Sequence, residues 1–266
     1  MIIRREQMRA FEQAAARGFE ERMLARIREF FPKHARLVGE AQLRLLVKLA
    51  LDKAQSHLLT TERNVALYLD LMCLLGSAFD SDPQMPWAAD ILADRSFPTQ
   101  DAQADLLHER GWGFAQKISE DFKDLIEKND SSRLIVALRD IGRFSLSELP
   151  TQAAPQLANQ LSSNIKSALP VRCEAIGEDC LGLVLRRAFE SAARYGIKNE
   201  RGVSLFAALS LVVGAGFDND PQLPWASRVL SEASTAADPI SRTKRLHREA
   251  VECLRQWWDI GAGVEV

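Results

Sequence analysis

The chain lacks any long hydrophobic run, and no window approaches the roughly 18 apolar residues that a membrane-spanning helix needs. Its opening, MIIRREQMRAFEQ, has basic residues but no apolar signal-peptide segment behind them. Its four cysteines, Cys73, Cys173, Cys180 and Cys253, have spacings that fit neither a zinc site nor a small disulfide framework. These absences predict a cytoplasmic protein with reduced thiols and no membrane contact.

The common catalytic signatures are also missing. The sequence contains no G-x-S-x-G motif, no glycine-rich phosphate loop and no histidine pair at helical metal spacing. His108 and His247 each stand near acidic residues and could act as general bases, but nothing in the sequence supplies the rest of a triad. We therefore expect no enzyme, no cofactor and no bound metal, and keep an enzyme that uses Asp or His side chains as an alternative.

One ten-residue stretch occurs twice. FDSDPQMPWA, from Phe79 to Ala88, returns as FDNDPQLPWA, from Phe217 to Ala226, with eight identical positions. The same shift, 217 minus 79 or 138 positions, aligns FPKHARLVGEAQL with LPVRCEAIGEDCL and TERNVALYL with NERGVSLFA. The sequence therefore predicts a tandem duplication, with one copy in residues 1–130 and a second in residues 131–266, joined near KNDSSR.

Apolar residues recur at helical spacing in both copies. One buried stripe is predicted for the first helix, through Phe11, Phe19, Met23 and Ile27. ALYLDLMCLLG and SLFAALSLVVG are apolar nearly all round, which is typical of helices at the centre of a domain. No strand-like alternation bounded by turn residues is present. The predicted fold is all-α, with two similar helical bundles.

The repeated motif has two interpretations. Asp80 and Asp82 match the first and third positions of a calcium loop, but Met85 and Ile91 stand where that loop needs Gly and a bidentate Glu. In the second interpretation the motif is a corner between helices, in which Asp80 accepts backbone N–H groups and the aromatic residues are buried. We favour the corner. Its fixed positions are Phe79, Asp80, Asp82, Pro83, Pro86 and Trp87, and, in the second copy, Phe217, Asp218, Asp220, Pro221, Pro224 and Trp225.

Charge is unevenly distributed, although the net charge is only -2. Residues 1–50 hold 11 basic and 6 acidic side chains, whereas residues 51–130 hold 7 basic and 15 acidic ones. From Arg139 onward the chain is balanced, with 15 of each. The acidic segment predicts either ordinary solvated helix faces or a docking face for a basic protein, and no nucleic-acid binding. The acidic side chains expected in that face are Asp90, Asp94, Asp101, Asp105 and Glu109.

Four segments of the first copy resemble a family of small helical bacterial proteins found alongside type VI secretion effectors, their PAAR or spike proteins and their immunity proteins. The segments are MIIRREQMRAFEQ, LVGEAQLRLLV, TERNVALYLDLM and FDSDPQMPWAADIL. The second copy matches this pattern more loosely, because LSELPTQAAPQLANQ replaces the Arg- and Glu-rich first helix. The family offers no catalytic residues to transfer to this sequence.

The resemblance implies a cytoplasmic protein that binds another protein. One function is an immunity protein that neutralises a cognate toxic effector, for instance a nuclease, whose basic cleft an acidic surface would block. The alternative is an accessory or adaptor protein that assists effector loading onto a PAAR/VgrG spike. The expected partner is thus the effector, its chaperone or the spike.

Overall fold

The chain is all-helical in the computed structural model, which describes residues 5–127, 140–231 and 238–261. Within these ranges there are twelve α-helices and no strand, only an isolated bridge between Glu148 and Asn199. The helices are α1 (Arg5–Phe30), α2 (Pro32–Val38), α3 (Glu40–Ser56), α4 (Glu62–Leu75), α5 (Pro86–Ala93), α6 (Gln100–Glu127), α7 (Ala154–Ala168), α8 (Pro170–Ile176), α9 (Glu178–Arg194), α10 (Glu200–Val212), α11 (Pro224–Ser231) and α12 (Pro239–Gly261). The predicted junction at KNDSSR, residues 128–133, lies outside the described residues.

Helix starts follow from the residues that precede them. Thr61 accepts a hydrogen bond from the backbone N–H of Asn64 and so caps α4, and Asn199 caps α10 by accepting from Gly202. Proline stands at the first position of α5 and α11, where its missing N–H costs nothing. The predicted starts of these four helices are confirmed.

The predicted buried stripe of the first helix is wrong at its N-terminal end. Phe11 is 65% exposed, whereas Met23 and Ile27 are buried. Residues 13–17 of α1 are exposed as well, so periodic apolar spacing in this part of the helix does not lead to burial. Helix α1 ends at Phe30, and Pro32 is the first residue of α2.

Buried apolar side chains form two clusters. The first runs from Met23 to Ile118 along the chain, and the second from Ile141 to Leu254. Helix α4 lies in the first cluster and α10 in the second, and both are buried over most of their length, as their apolar composition predicts. We refer to residues 5–127 as the first half and residues 140–261 as the second half.

The two halves are in contact. Helix α6 of the first half packs on α8 of the second half, and α12 of the second half packs on α2 of the first. None of the described helices is both long enough and apolar enough to cross a membrane.

Candidate functional site

Both copies of the repeated motif form the same local structure. A short 3-10 turn, at Phe79–Ser81 and Phe217–Asn219, is followed by an extended aspartate and then by proline. The two phenylalanines are fully buried against aromatic rings of α4 and α10. The motif is therefore a corner between helices, as the second interpretation predicts.

The second aspartate of each motif reaches the opposite half. Asp82 accepts a hydrogen bond from the backbone N–H of Ala215 at 2.7 Å. Asp220 accepts one from the backbone N–H of Ser77 at 2.8 Å. Because 220 minus 82 and 215 minus 77 are both 138, the two contacts are the same contact with the halves exchanged. All four residues are buried.

The glutamine of each motif repeats this exchange. Gln84 donates from Nε2 to the backbone oxygen of Ser210 at 2.9 Å, and Gln222 donates to that of Met72 at 3.0 Å. Each glutamine also donates its backbone N–H to the aspartate two residues before it, at 2.9 and 2.8 Å. We call this contact region the seam. It consists of the two motifs and the residues of the opposite half that they contact.

At one position of the seam, different side chains contact the motif glutamine of the opposite half. His34 places Nε2 2.7 Å from Oε1 of Gln222, and Arg172 donates from Nη1 to Oε1 of Gln84 at 3.3 Å. Arg172 also donates from Nη1 to the backbone oxygen of Leu211. Since the amide nitrogen of Gln222 already donates, its oxygen accepts, and Nε2 of His34 carries the hydrogen.

These two residues line a cavity of about 120 Å³ between the halves. Arg172 is 6% exposed, and its Nε has no hydrogen-bond partner. Burial lowers the pKa of Arg172 from 12.5 to about 10, so the guanidinium stays charged at neutral pH. Burial also lowers the pKa of His34, which is therefore neutral there. Asp121 faces this arginine from α6 and accepts the backbone N–H groups of Val171 and Arg172.

The predicted role of the first aspartate is wrong. Asp80 binds side chains instead of backbone N–H groups, because it accepts from Nζ of Lys53 at 2.8 Å and from the hydroxyl of Tyr68 at 2.7 Å. Asp218 similarly accepts from the hydroxyl of Tyr195 at 3.0 Å. Backbone N–H groups are bound by the second aspartate, Asp82 or its counterpart. Proline after that residue keeps it extended, which directs its carboxylate across the seam.

Electrostatics at the motif separate its two aspartates. Burial alone would raise the pKa of Asp80, but hydrogen bonds from His57, Lys53 and Tyr68 outweigh it and hold the pKa well below 3.8. Burial is the larger effect at Asp82 and raises its pKa. Asp80 is therefore a partly buried ion with its own cation, whereas Asp82 depends on N–H donors. Within the described part of the chain, no cluster of three or more His, Cys, Asp or Glu side chains is placed to hold a metal.

The two tryptophans of the motifs are less enclosed than the phenylalanines. Trp87 and Trp225 are both half-buried, although the corner interpretation expects them to be largely buried. Trp87 packs against the ring of Phe114, whose centroid lies 6.2 Å away, on α6. Each tryptophan stands at the first turn of its helix and covers one side of the corner only.

All five predicted acidic residues are exposed, along the end of α5 and the first part of α6. They are Asp90, Asp94, Asp101, Asp105 and Glu109, and we call them the acidic face. Three have partners: Asp94 accepts from the backbone N–H of Ser96 at 2.8 Å, Asp101 accepts from the side chain of Asn64 at 2.8 Å, and Asp105 pairs with Arg63 at 2.5 Å. None of the five takes part in the hydrogen bonds of the seam, so we treat the seam and the acidic face as separate surfaces.

The acidic face is continued by exposed apolar side chains. Asp105, Glu109 and Trp112 follow one another at i, i+4 and i+7, which places them on one stripe of α6. Trp112 is 44% exposed and Leu106 is 36% exposed. An exposed tryptophan flanked by charges is the arrangement of an anchor residue with a charged rim in protein interfaces.

The second half has opposite charge at matching positions. Arg228 stands 138 positions after Asp90. With the one-residue insertion that aligns Leu107-His108 with Leu246-His247, Lys244 matches Asp105 and Arg248 matches Glu109. All three basic side chains are exposed. We call them the basic face. Its existence was not predicted, because the balanced total charge of the second copy hides it.

His108 is the remaining sequence candidate for chemistry. Its Nε2 lies 3.8 Å from Oδ2 of Asp70, and that buried carboxylate is held by two hydrogen bonds from Arg26, at 2.9 and 2.6 Å. Burial lowers the pKa of His108, with the Asp70 charge opposing that change. The ring stacks on Trp112 at a centroid distance of 6.2 Å. Since Asp70 is already paired with Arg26, His108 lacks the orienting carboxylate that a general base in a triad would need.

Sequence reasoning missed the polar residues of the seam. Gln84 and Gln222 are identical in the two motifs, and His34 and Arg172 align within FPKHARL and LPVRCEA. The available signal was the repeated glutamine, because a simple corner between helices does not need one. Comparison of the chain with protein-family models, with curated proteins and with solved structures found no match.

Proposed function

We propose that this chain is a type VI secretion immunity protein that binds a cognate toxic effector in the cytoplasm and neutralises it. The observation that carries the proposal is the acidic face with Trp112 beside it. The effector would present a basic surface, as a nuclease does around its nucleic-acid cleft. Acidic rim residues would speed association, and the tryptophan would set the residence time.

We also propose that the two halves are tandem copies of one helical bundle, with residues 1–130 and 131–266 as the units. Support comes from the matching helix caps at Thr61 and Asn199 and from the seam contacts that exchange the halves. In this proposal the seam holds the copies together, and effector recognition is left to the surfaces in which the copies differ.

The proposal is tested with the effector encoded by the neighbouring gene, by interferometry at several salt concentrations. Reversing Asp90, Asp105 and Glu109 to Lys should slow association by about 10- to 100-fold and make it less sensitive to salt. Trp112→Ala should instead raise the dissociation rate, because it removes a large anchor. Neither change should alter the melting temperature by more than about 3 °C, since all four side chains are exposed or partly exposed.

The matched control reverses three exposed acids of the second half, Glu148, Glu190 and Glu252, to Lys. This variant has the same change in net charge and should bind like the original protein. Equal slowing by both triple variants would mean that net charge, and not the acidic face, governs association. Survival of cells that express the effector gives the second readout, and loss of rescue should follow loss of binding.

The adaptor alternative is favoured by one observation, the basic face of Arg228, Lys244 and Arg248. A protein with faces of opposite charge on its two halves is suited to hold two partners at once. In that case reversing the basic face would abolish a ternary complex with the spike and leave effector binding intact. Tight effector binding without rescue of cells would favour the adaptor, and no binding at all would exclude both functions.

A further inference from the structure

The seam is close to self-complementary. Asp82 binds Ala215 in the same way as Asp220 binds Ser77, and the two motif glutamines repeat that exchange. An interface in which each contact recurs with its sides exchanged is the kind that joins identical subunits. By these hydrogen bonds alone, a first half would fit another first half, or a second half another second half, as well as it fits its actual partner.

One apolar position breaks this equivalence. Ala78 in the first half faces Gly216 in the second, and these residues are 138 positions apart. A Cβ atom added to Gly216 would lie 2.5 Å from Cβ of Ala78, closer than Cβ atoms pack in real proteins. The two residues have almost the same backbone angles, φ −109° and ψ 18° against φ −107° and ψ 17°, so Gly216 is not required by its own conformation. The glycine is required by the alanine that faces it.

Pairing of two first halves would therefore bring two Ala78 Cβ atoms into that clash. Pairing of two second halves would place glycine against glycine and avoid it. The clash involves Cβ atoms fixed to the backbone, so a change of side-chain rotamer cannot relieve it.

A second position of the seam disfavours the pairing of two second halves. Arg172 is a buried cation whose Nε has no partner, whereas its counterpart, His34, is neutral. Two second halves paired through the same contacts would bury two such cations beside one cavity. The existing pair buries only one. Each like pairing thus has its own penalty, steric in the first case and electrostatic in the second.

We propose that Ala78 with Gly216, and His34 with Arg172, make the seam an interaction surface selective for the unlike half. The external partner that this surface fits is the opposite half of a second copy of the chain, in a dimer formed by exchange of halves. Within one molecule the linked half is favoured, because the connection gives it a high effective concentration.

The first test exchanges the residues across the seam in the intact chain. Gly216→Ala should lower the melting temperature by about 5–10 °C through overpacking. Ala78→Gly should lower it by only about 1–4 °C, and the double variant A78G/G216A should return to within about 3 °C of the original protein. A melting temperature of Gly216→Ala equal to the original, or a double variant as unstable as Gly216→Ala, would overturn the steric part.

The charged pair is tested in the same way. His34→Arg should destabilise the chain, because it places a second buried cation at the cavity, and H34R/R172H should recover most of the loss. Light scattering accompanies each melt, since a variant whose halves no longer pair within one chain exposes the seam. If H34R/R172H remained as unstable as His34→Arg, the electrostatic part would be refuted.

Exchange between copies is measured on the full chain with a protease site inserted between Asn129 and Asp130 and cut after folding. Two isotopically distinct preparations are mixed and their assemblies are read by native mass spectrometry. Original chains should form mixed pairs of first with second half and no pairs of two first halves. Ala78→Gly should allow pairs of two first halves, because glycine then faces glycine. First-half pairs that are as frequent in the original chain as in Ala78→Gly would refute selectivity.

Discussion

The two halves hold the matching aspartates Asp80 and Asp218 with different residues. In the first half Asp80 is held by Lys53 and Tyr68, whereas in the second Asp218 is held by Tyr195, with Arg194 3.8 Å away. The phenol comes from α4 in one case and from the residue after α9 in the other. Both corners thus contain a carboxylate that accepts hydrogen bonds from side chains, but the residues that donate them differ.

A larger difference lies on the side of α4 and α10 away from the corner. The first half buries Asp70 in an ion pair with Arg26. The matching positions in the second half carry Ala208 and Asn164, and both line a cavity of about 420 Å³. The backbone of the corners and the exchanged hydrogen bonds of the seam recur in both halves, while the surroundings of the central helices differ. Substitutions at the matched positions test which of these contacts each half depends on.

The largest expected effect comes from placing the aspartate of the first half in the second. Ala208→Asp should cost about 3–4 kcal/mol of unfolding free energy, because the new carboxylate enters a partly buried, largely apolar cavity without a cation. Adding Asn164→Arg should recover most of the loss by recreating the pair that Arg26 and Asp70 form. Chemical denaturation measures both.

Ala208→Leu is the control for size, since it adds volume without charge to a cavity with room for it. It should cost less than about 1.5 kcal/mol. If Ala208→Asp were as stable as Ala208→Leu, the second half would tolerate a carboxylate at this position without a cation, and the prediction would be wrong.

The sequence predicts the local part of this architecture well. Caps such as Thr61, the prolines that start α5 and α11, and the apolar periodicity of α4 and α10 all act within a few residues, so their effect can be read along the chain. Exposure of the part of the acidic face on α6 follows in the same way, because Asp101, Asp105 and Glu109 are spaced four residues apart and so lie on one stripe of that helix.

The seam could not be predicted, because its hydrogen bonds join residues far apart in sequence. Asp82 and Ala215 are separated by 133 positions, and their meeting depends on how the two halves pack. The basic face escaped notice for another reason, since it becomes visible only when Arg228, Lys244 and Arg248 are compared with matched acids. Its detection needed position-by-position alignment in place of total charge.

A second prediction tests whether the exchanged contacts of the seam are equally strong. Asp82→Ala and Asp220→Ala should each cost about 2–4 kcal/mol, because each leaves a buried N–H, of Ala215 or of Ser77, without its acceptor. The two losses should agree within about 1 kcal/mol, since the donor distances are 2.7 and 2.8 Å.

Asp82→Asn is the matched control. Its amide oxygen can still accept the N–H of Ala215, but its amide nitrogen replaces the oxygen that accepts the backbone N–H of Gln84, so the loss should be about 1–2 kcal/mol and smaller than that of Asp82→Ala. A loss as large as that of Asp82→Ala would show that both carboxylate oxygens are required. Very unequal losses for the two alanine variants would show that the exchanged contacts are not equivalent in energy.

The smallest effect concerns the first aspartates of the motifs and depends on pH. Hydrogen bonds hold the folded-state pKa of Asp80 below its ordinary 3.8, so ionised Asp80 stabilises the protein above that pH, and the contribution is lost as the pH falls through the folded-state pKa. Asp80→Asn should therefore cost about 1–2 kcal/mol at pH 7 and progressively less as the pH falls from 5 toward 2. Asp218→Asn should cost less at pH 7, because its nearest cation, Arg194, is 3.8 Å away and exposed. Urea denaturation of the original protein, Asp80→Asn and Asp218→Asn across this pH range measures these differences. If the free energies of unfolding of Asp80→Asn and the original protein changed in parallel with pH, the charge of Asp80 would contribute nothing to stability. The two halves would then differ at this corner in geometry alone.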